Sequence, residues 1–200
     1  MQLLELYGFC LDDTMYDEFW DAVVALELPA SFHILTSKGD TPGSDSVRGP
    51  KLNSFISIIR GNQDIIGTRI CGAVFERHPD LRIVCVEADA GWAPHWMYRA
   101  DHAYDRHRNW LTAGALTKTP SETFLEHIYL TFQDDWVAFK TVDLMNVDRL
   151  MWANDFPHSD ATWPDSQALL AQHAAQLSSH AQCRILHDNA ADLYGLTLSN

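Results

Sequence analysis

His33, Glu87, Asp155 and His158 are residues of this chain whose side-chain types could ligate a metal or move a proton. The richest stretch is Met151 to Asp165, MWANDFPHSDATWPD. An apolar lead-in of Leu150, Met151 and Trp152 stops at Asn154-Asp155, and Phe156-Pro157-His158 follows. Trp163-Pro164-Asp165 then reads as a helix start, because proline disfavours helix in the residue before it and suits a helical first turn. The run predicts strand, polar tip, short loop and helix. Barrel enzymes keep their chemistry on carboxylates at the C-terminal ends of strands, just before a βα-loop. Strand ends are also ordinary places for Asp and Asn. Residue type alone leaves both readings open for Asp155 and His158.

The other candidates are equally two-sided on local pattern. His33 lies between Phe32 and Ile34-Leu35, a setting that by periodicity suits a satisfied core histidine. Glu87 ends the apolar run Leu81 to Val86 and serves equally well as a functional group (a base, a hydrogen-bond partner of substrate or a metal neighbour) or as a carboxylate held by backbone N–H groups. Asp89 is a weaker candidate of the same kind. His95, His102 and His107 share an expected helix with Arg99, Arg106 and Arg108, which predicts a solvated face of mixed charge. His127 is expected to open a strand, at the wrong end for barrel chemistry, and His173, His180 and His187 to lie on the surface. No phosphate-binding glycine loop, GxSxG elbow or kinase motif occurs in the sequence.

The elements that must position these residues follow from periodicity and punctuation. Helices are expected over 17–26, over 54–77 with a break near Gly61, and over 94–108, 135–145, 164–178 and 181–194. Strands are expected over 30–35, 81–86, 127–132 and 150–153. Residues 36–53, rich in Gly, Ser, Asp and Pro, read as a long loop of the functional or mobile kind, and residues 109–122 as another. Strands alternating with helices indicate an α/β fold with a parallel sheet.

Composition narrows the function classes. Apolar residues at 46% and charged residues at 20% are the proportions of a globular protein. Lys plus Arg number 14 against 27 Asp plus Glu, a formal charge of −13, which argues against nucleic acid and anionic membranes as partners. No apolar run approaches the ~20 residues of a membrane span. The opening MQLLELYGFCLDDT lacks the basic and apolar regions of a signal peptide. Cys10, Cys71, Cys85 and Cys183 have no CxxC spacing. They are expected as reduced thiols in or near the core, which with the missing signal peptide indicates the cytoplasm.

The final-strand segment closely resembles the corresponding motif of the amidohydrolase-related family, which includes aminocarboxymuconate-semialdehyde decarboxylase-like enzymes. That motif runs roughly apolar-Trp-Gly/Ala-Ser/Asn-Asp-Tyr/Phe-Pro-His, then an acid, Thr or Ser, and Trp-Pro. Leu28-Pro29-Ala30-Ser31-Phe32-His33 resembles the family's fifth strand, which ends in a metal-binding histidine. The run His78 to Glu87 resembles the end of the sixth helix and the sixth strand, and Arg184 to Leu196 the closing helix with its Asn-Ala-x-x-Leu-Tyr/Phe pattern. Where many members carry His-Gly-Gly-Gly, this chain has Glu87-Ala88-Asp89-Ala90-Gly91-Trp92, similar to the Glu-Ser-Gly-x-Gly-Trp of one branch.

The resemblance implies the C-terminal half of a distorted (β/α)8 barrel, with about four parallel strands and a closing helix. It makes residues 1–200 a single domain lacking its N-terminal part. It implies a metal-dependent hydrolase or non-oxidative decarboxylase (a lyase) acting on a small molecule. His33 and Asp155 would be ligands of a divalent metal, with zinc the first expectation, and would sit within about one metal shell of each other. Asp155 would also move a proton, with Glu87 and His158 beside it. The family's His-X-His on strand one has no counterpart here, so a rival reading is a non-catalytic remnant or an interaction module needing a complementary half. A metal-free acid/base pair of Glu87 and Asp155 ranks last. Half a barrel would expose sheet edges, so association as a homo-oligomer or with the complementary N-terminal half is expected. The run Leu3 to Trp20 resembles the passage between the family's fourth strand and fifth helix. DNA upstream of Met1 is therefore expected to encode the missing strand-one motif and further βα units.

Overall fold

The computed structural model describes residues 11–34 and 49–197. The expected loop over 36–53 falls mostly outside the described residues, as do Leu35, Cys10 and the run Leu3 to Cys10. Helix α1 (Asp17–Ala25) turns Trp20 and Val23 inward, and the Trp20 indole donates to the Leu11 carbonyl at 3.2 Å. Strand β1 (Ala30–His33) follows. The helix expected over 54–77 is three pieces: α2 (Lys51–Ile56), α3 (Arg60–Cys71) and α4 (Val74–Arg77). Gly61 sits buried inside α3 and does not break it. The break expected near Gly61 falls just before it, over residues 57–59, and a second one falls at Gly72-Ala73. A Cβ on Gly72 would lie 2.5 Å from that of Asp12, and Ala73 takes φ 56°.

Strand β2 (Ile83–Val86) leads to α5 (Ala93–His107), close to its expected bounds. The loop expected over 109–122 holds to Thr119, and helix α6 (Pro120–His127) takes its last three residues. Thr119 accepts from the Glu122 N–H while the Glu122 carboxylate accepts from the Thr119 N–H, a reciprocal capping box with proline in the first turn. Strand β3 is Ile128–Phe132, so His127 closes the helix and does not open the strand. Helix α7 (Trp136–Lys140) is shorter than expected because 3-10 turns follow it. Strand β4 (Leu150–Trp152) precedes α8 (Ser166–His173), α9 (Ser179–Cys183) and α10 (Asn189–Tyr194), the last two joined by a π-helical turn over Arg184–Asp188.

The sheet has four strands in the order β1-β2-β3-β4, every pairing parallel. This is the sequential order that right-handed βα repeats generate in a barrel. Alternation along the strands separates two faces. Phe32, Cys85, Leu130 and Leu150 share a register row and pack into the main core with the helices. Val84, Tyr129 and Met151 face the other way and meet Leu193 of α10 in a smaller cluster. Asn189 holds α10 there by donating to the carbonyls of Val147 and Leu150, both at 2.7 Å. Within the main core Arg69 of α3 is fully buried, its guanidinium 4.3 Å over the Phe32 ring. Neither outer edge, on β1 or β4, is paired among the described residues.

Of the described cysteines only Cys85 is buried; Cys71 and Cys183 occupy exposed positions, which corrects their expected place in or near the core. Burial pushes the Cys85 thiol up to about 12, an inert group. Among the described residues no helix is long and apolar enough to cross a membrane.

His127 is structural. It is buried, stacked on Phe75 at 4.6 Å, and its Nδ1 donates to the Leu81 carbonyl. Desolvation lowers its pKa, against weaker upward pulls from that hydrogen bond and Glu126. The unfolded chain therefore takes up this proton at higher pH than the folded one. Stability should be full above the ordinary imidazole value of ~6.5 and fall as pH drops from there toward the lowered folded value. Urea unfolding at pH 7 and pH 5 should show this loss, and His127→Gln should flatten it.

Candidate metal centre

All the candidate residues stand at the C-terminal edge of the sheet. His33 is the last residue of β1, Glu87 follows β2 directly, and Asp155 lies just beyond β4. Glu87, Asp89 and Asp155 take left-handed backbone conformations, with φ of 58°, 55° and 59°. Such conformations cost an L-residue on the order of 1 kcal/mol each and are concentrated at functional sites. The surroundings enforce them. The Glu87 N–H donates to the Thr131 hydroxyl of β3 at 2.9 Å. After Asp155 the chain turns tightly, with the His158 N–H donating to the Asp155 carbonyl at 2.9 Å and that of Phe156 to the Asn154 side chain at 3.1 Å. The loop after β2 is clamped by Asp135, a buried carboxylate accepting from the N–H groups of Ala90, Gly91 and Ala138. Gly91 has to be glycine there, since a Cβ would meet Val137 at 2.7 Å and Asp135 at 2.8 Å.

Glu87, Asp155 and His158 each bring one ligand atom into a group whose members all lie within 4.8 Å of one another. The His158 ring Nδ1 is 3.0 and 3.2 Å from the two Asp155 oxygens. His33 joins through Glu87, with Nε2 at 2.5 Å from the Glu87 carboxylate. Its Nδ1 lies 2.8 Å from the Ile34 carbonyl. A carbonyl oxygen only accepts, so Nδ1 carries the hydrogen and, in a neutral ring, Nε2 presents a lone pair. A lone pair and a carboxylate aimed at one point require a proton or a cation between them. The two carboxylates and one imidazole of Glu87, Asp155 and His158, with the His33 imidazole against Glu87, form a donor set that zinc and manganese both accept. The residues present therefore fit a divalent ion.

Glu87, Asp155 and His158 line a cavity of about 510 Å³, with Phe55, Ile58 and Ile59 also on its wall, and His33 reaches it through Glu87. Asp89 lines it too, and also an adjoining acidic cavity with Asp134, Asp160 and Asp165. Burial, and then the neighbouring carboxylates of Asp135, Asp160 and Asp134, push the Asp89 carboxyl up to about 6. The acidic neighbours of Asp89 lie 45 to 71 residues further along the chain, so local sequence pattern carries no sign of this shift. The helix with His95, His102 and His107 lies outside the cavity lining, with His95 exposed and His102 and His107 half-buried. His180 and His187 are exposed, whereas His173 is half-buried and stacks on Phe139.

The chain belongs to the amidohydrolase family, whose sequence model matches residues 7–196. Comparison with curated proteins finds no match. Among solved structures, 5-carboxyvanillate decarboxylase from Sphingomonas paucimobilis is similar at 19% identity and a TM-score of 0.80, over 98% of this chain and 58% of that one. The corresponding enzyme from Novosphingobium aromaticivorans, solved with manganese and a nitrobenzoic acid, is 21% identical with a TM-score of 0.76, over 98% of this chain and 56% of that one. An amidohydrolase from Mycobacterium avium subsp. paratuberculosis matches at 20% identity and a TM-score of 0.76, over 92% and 46%. At these identities the likeness establishes the fold. The chain spans about half the length of these structures, and its four parallel strands form part of a TIM-type barrel.

Proposed function

We propose that this chain carries a divalent-metal site of a hydrolase or non-oxidative decarboxylase acting on a small molecule. The convergence of Glu87, Asp155 and His158 within 4.8 Å, with His33 against Glu87, is the observation that carries this reading. Glu87, Asp155, His33 and His158 would hold the ion. Imidazole donors favour zinc, and the similar structures solved with manganese make that metal the second choice. A metal bound there supplies Lewis acidity toward a carbonyl or carboxylate oxygen and makes water a stronger acid.

The protein's own groups do the rest. Asp155 takes a proton from the attacking water or returns one to the substrate, and His158 keeps its carboxylate turned toward the cavity. The Thr131 hydroxyl fixes the backbone at Glu87, which holds that carboxylate in reach of His33. Asp89, near 6, has a proton affinity suited to acid–base work close to neutral pH. The edges of β1 and β4, unpaired among the described residues, support association with a second copy or with a complementary half-barrel, which would complete the mouth.

Equilibrium dialysis of the purified chain against zinc and against manganese tests the reading. One ion per chain is expected, together with turnover of ester or aromatic-acid substrates that chelation abolishes and zinc restores. No binding of either metal at micromolar concentrations would end it.

A further inference from the structure

We propose that Asn62 of α3 is a positioning residue: its side-chain amide holds the ends of β1 and β2, and with them His33 and Glu87, at the spacing that one ion requires. The zinc arm of the test below rests on the metal-site reading, and the hydrogen-exchange arm does not.

The helix pattern makes Asn62 an unexpected occupant of its site. Helix α3 buries Asn62, Ile65, Ile66, Arg69 and Ile70, an i, i+3, i+4, i+7, i+8 stripe on which apolar residues pack best. Asn62 is 1% exposed there. Its Oδ1 is buried and has no hydrogen-bond partner among the described residues. A buried acceptor left unmet lowers stability, so stability does not explain an amide at this position.

The other end of the amide does. Its Nδ2 faces the Phe32 carbonyl at 3.4 Å, the Cys85 sulfur at 3.3 Å and the Val86 carbonyl at 3.5 Å. Phe32 directly precedes His33, and Val86 directly precedes Glu87. The Val86–Glu87 peptide is thereby gripped from two sides, its C=O by Asn62 and its N–H by the Thr131 hydroxyl at 2.9 Å. Immediately after this peptide Glu87 takes its left-handed φ of 58°. The Val86 carbonyl also accepts from the Ile34 N–H at 3.2 Å, so removal of Asn62 does not leave it unmet. Long bonds to acceptors that already have partners add little stability. What they fix is where the two strand ends stand.

Asn62→Leu keeps the branched shape and removes both the donor and the orphaned acceptor. In the full zinc-free chain, the Glu87 amide should exchange its hydrogen at least ~tenfold faster, while the urea midpoint stays or rises. Zinc affinity should fall by at least ~tenfold, the lower end of the loss when a group that orients a metal ligand is removed. Asn62→Ala lacks the donor and cannot overpack the core, so it should show the same two losses. Ile66→Val, one turn along the same stripe, is the control: it should lower the midpoint and leave Glu87 exchange and zinc affinity unchanged. If Glu87 exchange is unmoved in both Asn62 variants, or if the parent binds zinc and both variants bind it equally well, the proposal is overturned. A parent that binds no zinc defeats the metal reading alone, and the exchange rate at Glu87 still decides whether Asn62 holds the strand ends.

Discussion

Asp155→Asn should lower zinc affinity by at least ~100-fold while leaving unfolding free energy within about 0.5 kcal/mol of the parent. Outer-sphere partners of metal ligands already cost 10–100-fold when removed, so loss of a charged ligand should cost no less. The substitution is nearly isosteric, and asparagine tolerates the left-handed backbone that residue 155 adopts at φ 59°. The amide oxygen still accepts from His158, so the turn is kept. Calorimetric zinc titration beside urea unfolding separates the two effects. An affinity within tenfold of the parent would remove Asp155 from the ligand set.

The second large effect is on the scaffold. Asp135→Ala should destabilise the chain by about 3–5 kcal/mol, because it strands three N–H groups now bound at 2.7–2.9 Å. A buried donor left unmet costs ~1–3 kcal/mol, and bonds to a charged acceptor are stronger than neutral ones. Asp135→Asn should fall between, since its one oxygen still caps α7 through the Ala138 N–H while Ala90 and Gly91 lose theirs. The same variant removes one of the charges that raise Asp89. Its carboxyl should therefore titrate lower, toward the ordinary aspartate range, by carbon-13 NMR. Unfolding within 1 kcal/mol of the parent would mean that the loop after β2 is held by other contacts.

Much of this was legible in the sequence where one local pattern had one structural solution. The apolar runs ending in His33, Glu87 and Asn154-Asp155 became three parallel strands with their polar tips at one edge, as the family motifs implied. Some signals were present but unread. Thr119-Pro120-Ser121-Glu122 spells a capping box, yet the polar stretch before it masked the start of α6. Other features had no sequence signal. The break at Gly72-Ala73 arises from the close approach of Asp12, and the proton affinity of Asp89 from acids on other loops. Asp135 looks like any helix cap until the loop it clamps, 44 and 45 residues earlier in the chain, folds back onto it. Long-range approach decided each of these, and periodicity carries no record of it.

The central claim is that a divalent ion sits among Glu87, Asp155, His158 and His33. Anomalous diffraction from zinc-loaded crystals tests it most directly. The account predicts one strong peak at coordination distance, about 2.0–2.2 Å, from oxygens of Glu87 and Asp155 and an imidazole nitrogen. A peak confined to the neighbouring acidic cavity of Asp134, Asp160 and Asp165, or no peak at full zinc loading, would contradict it.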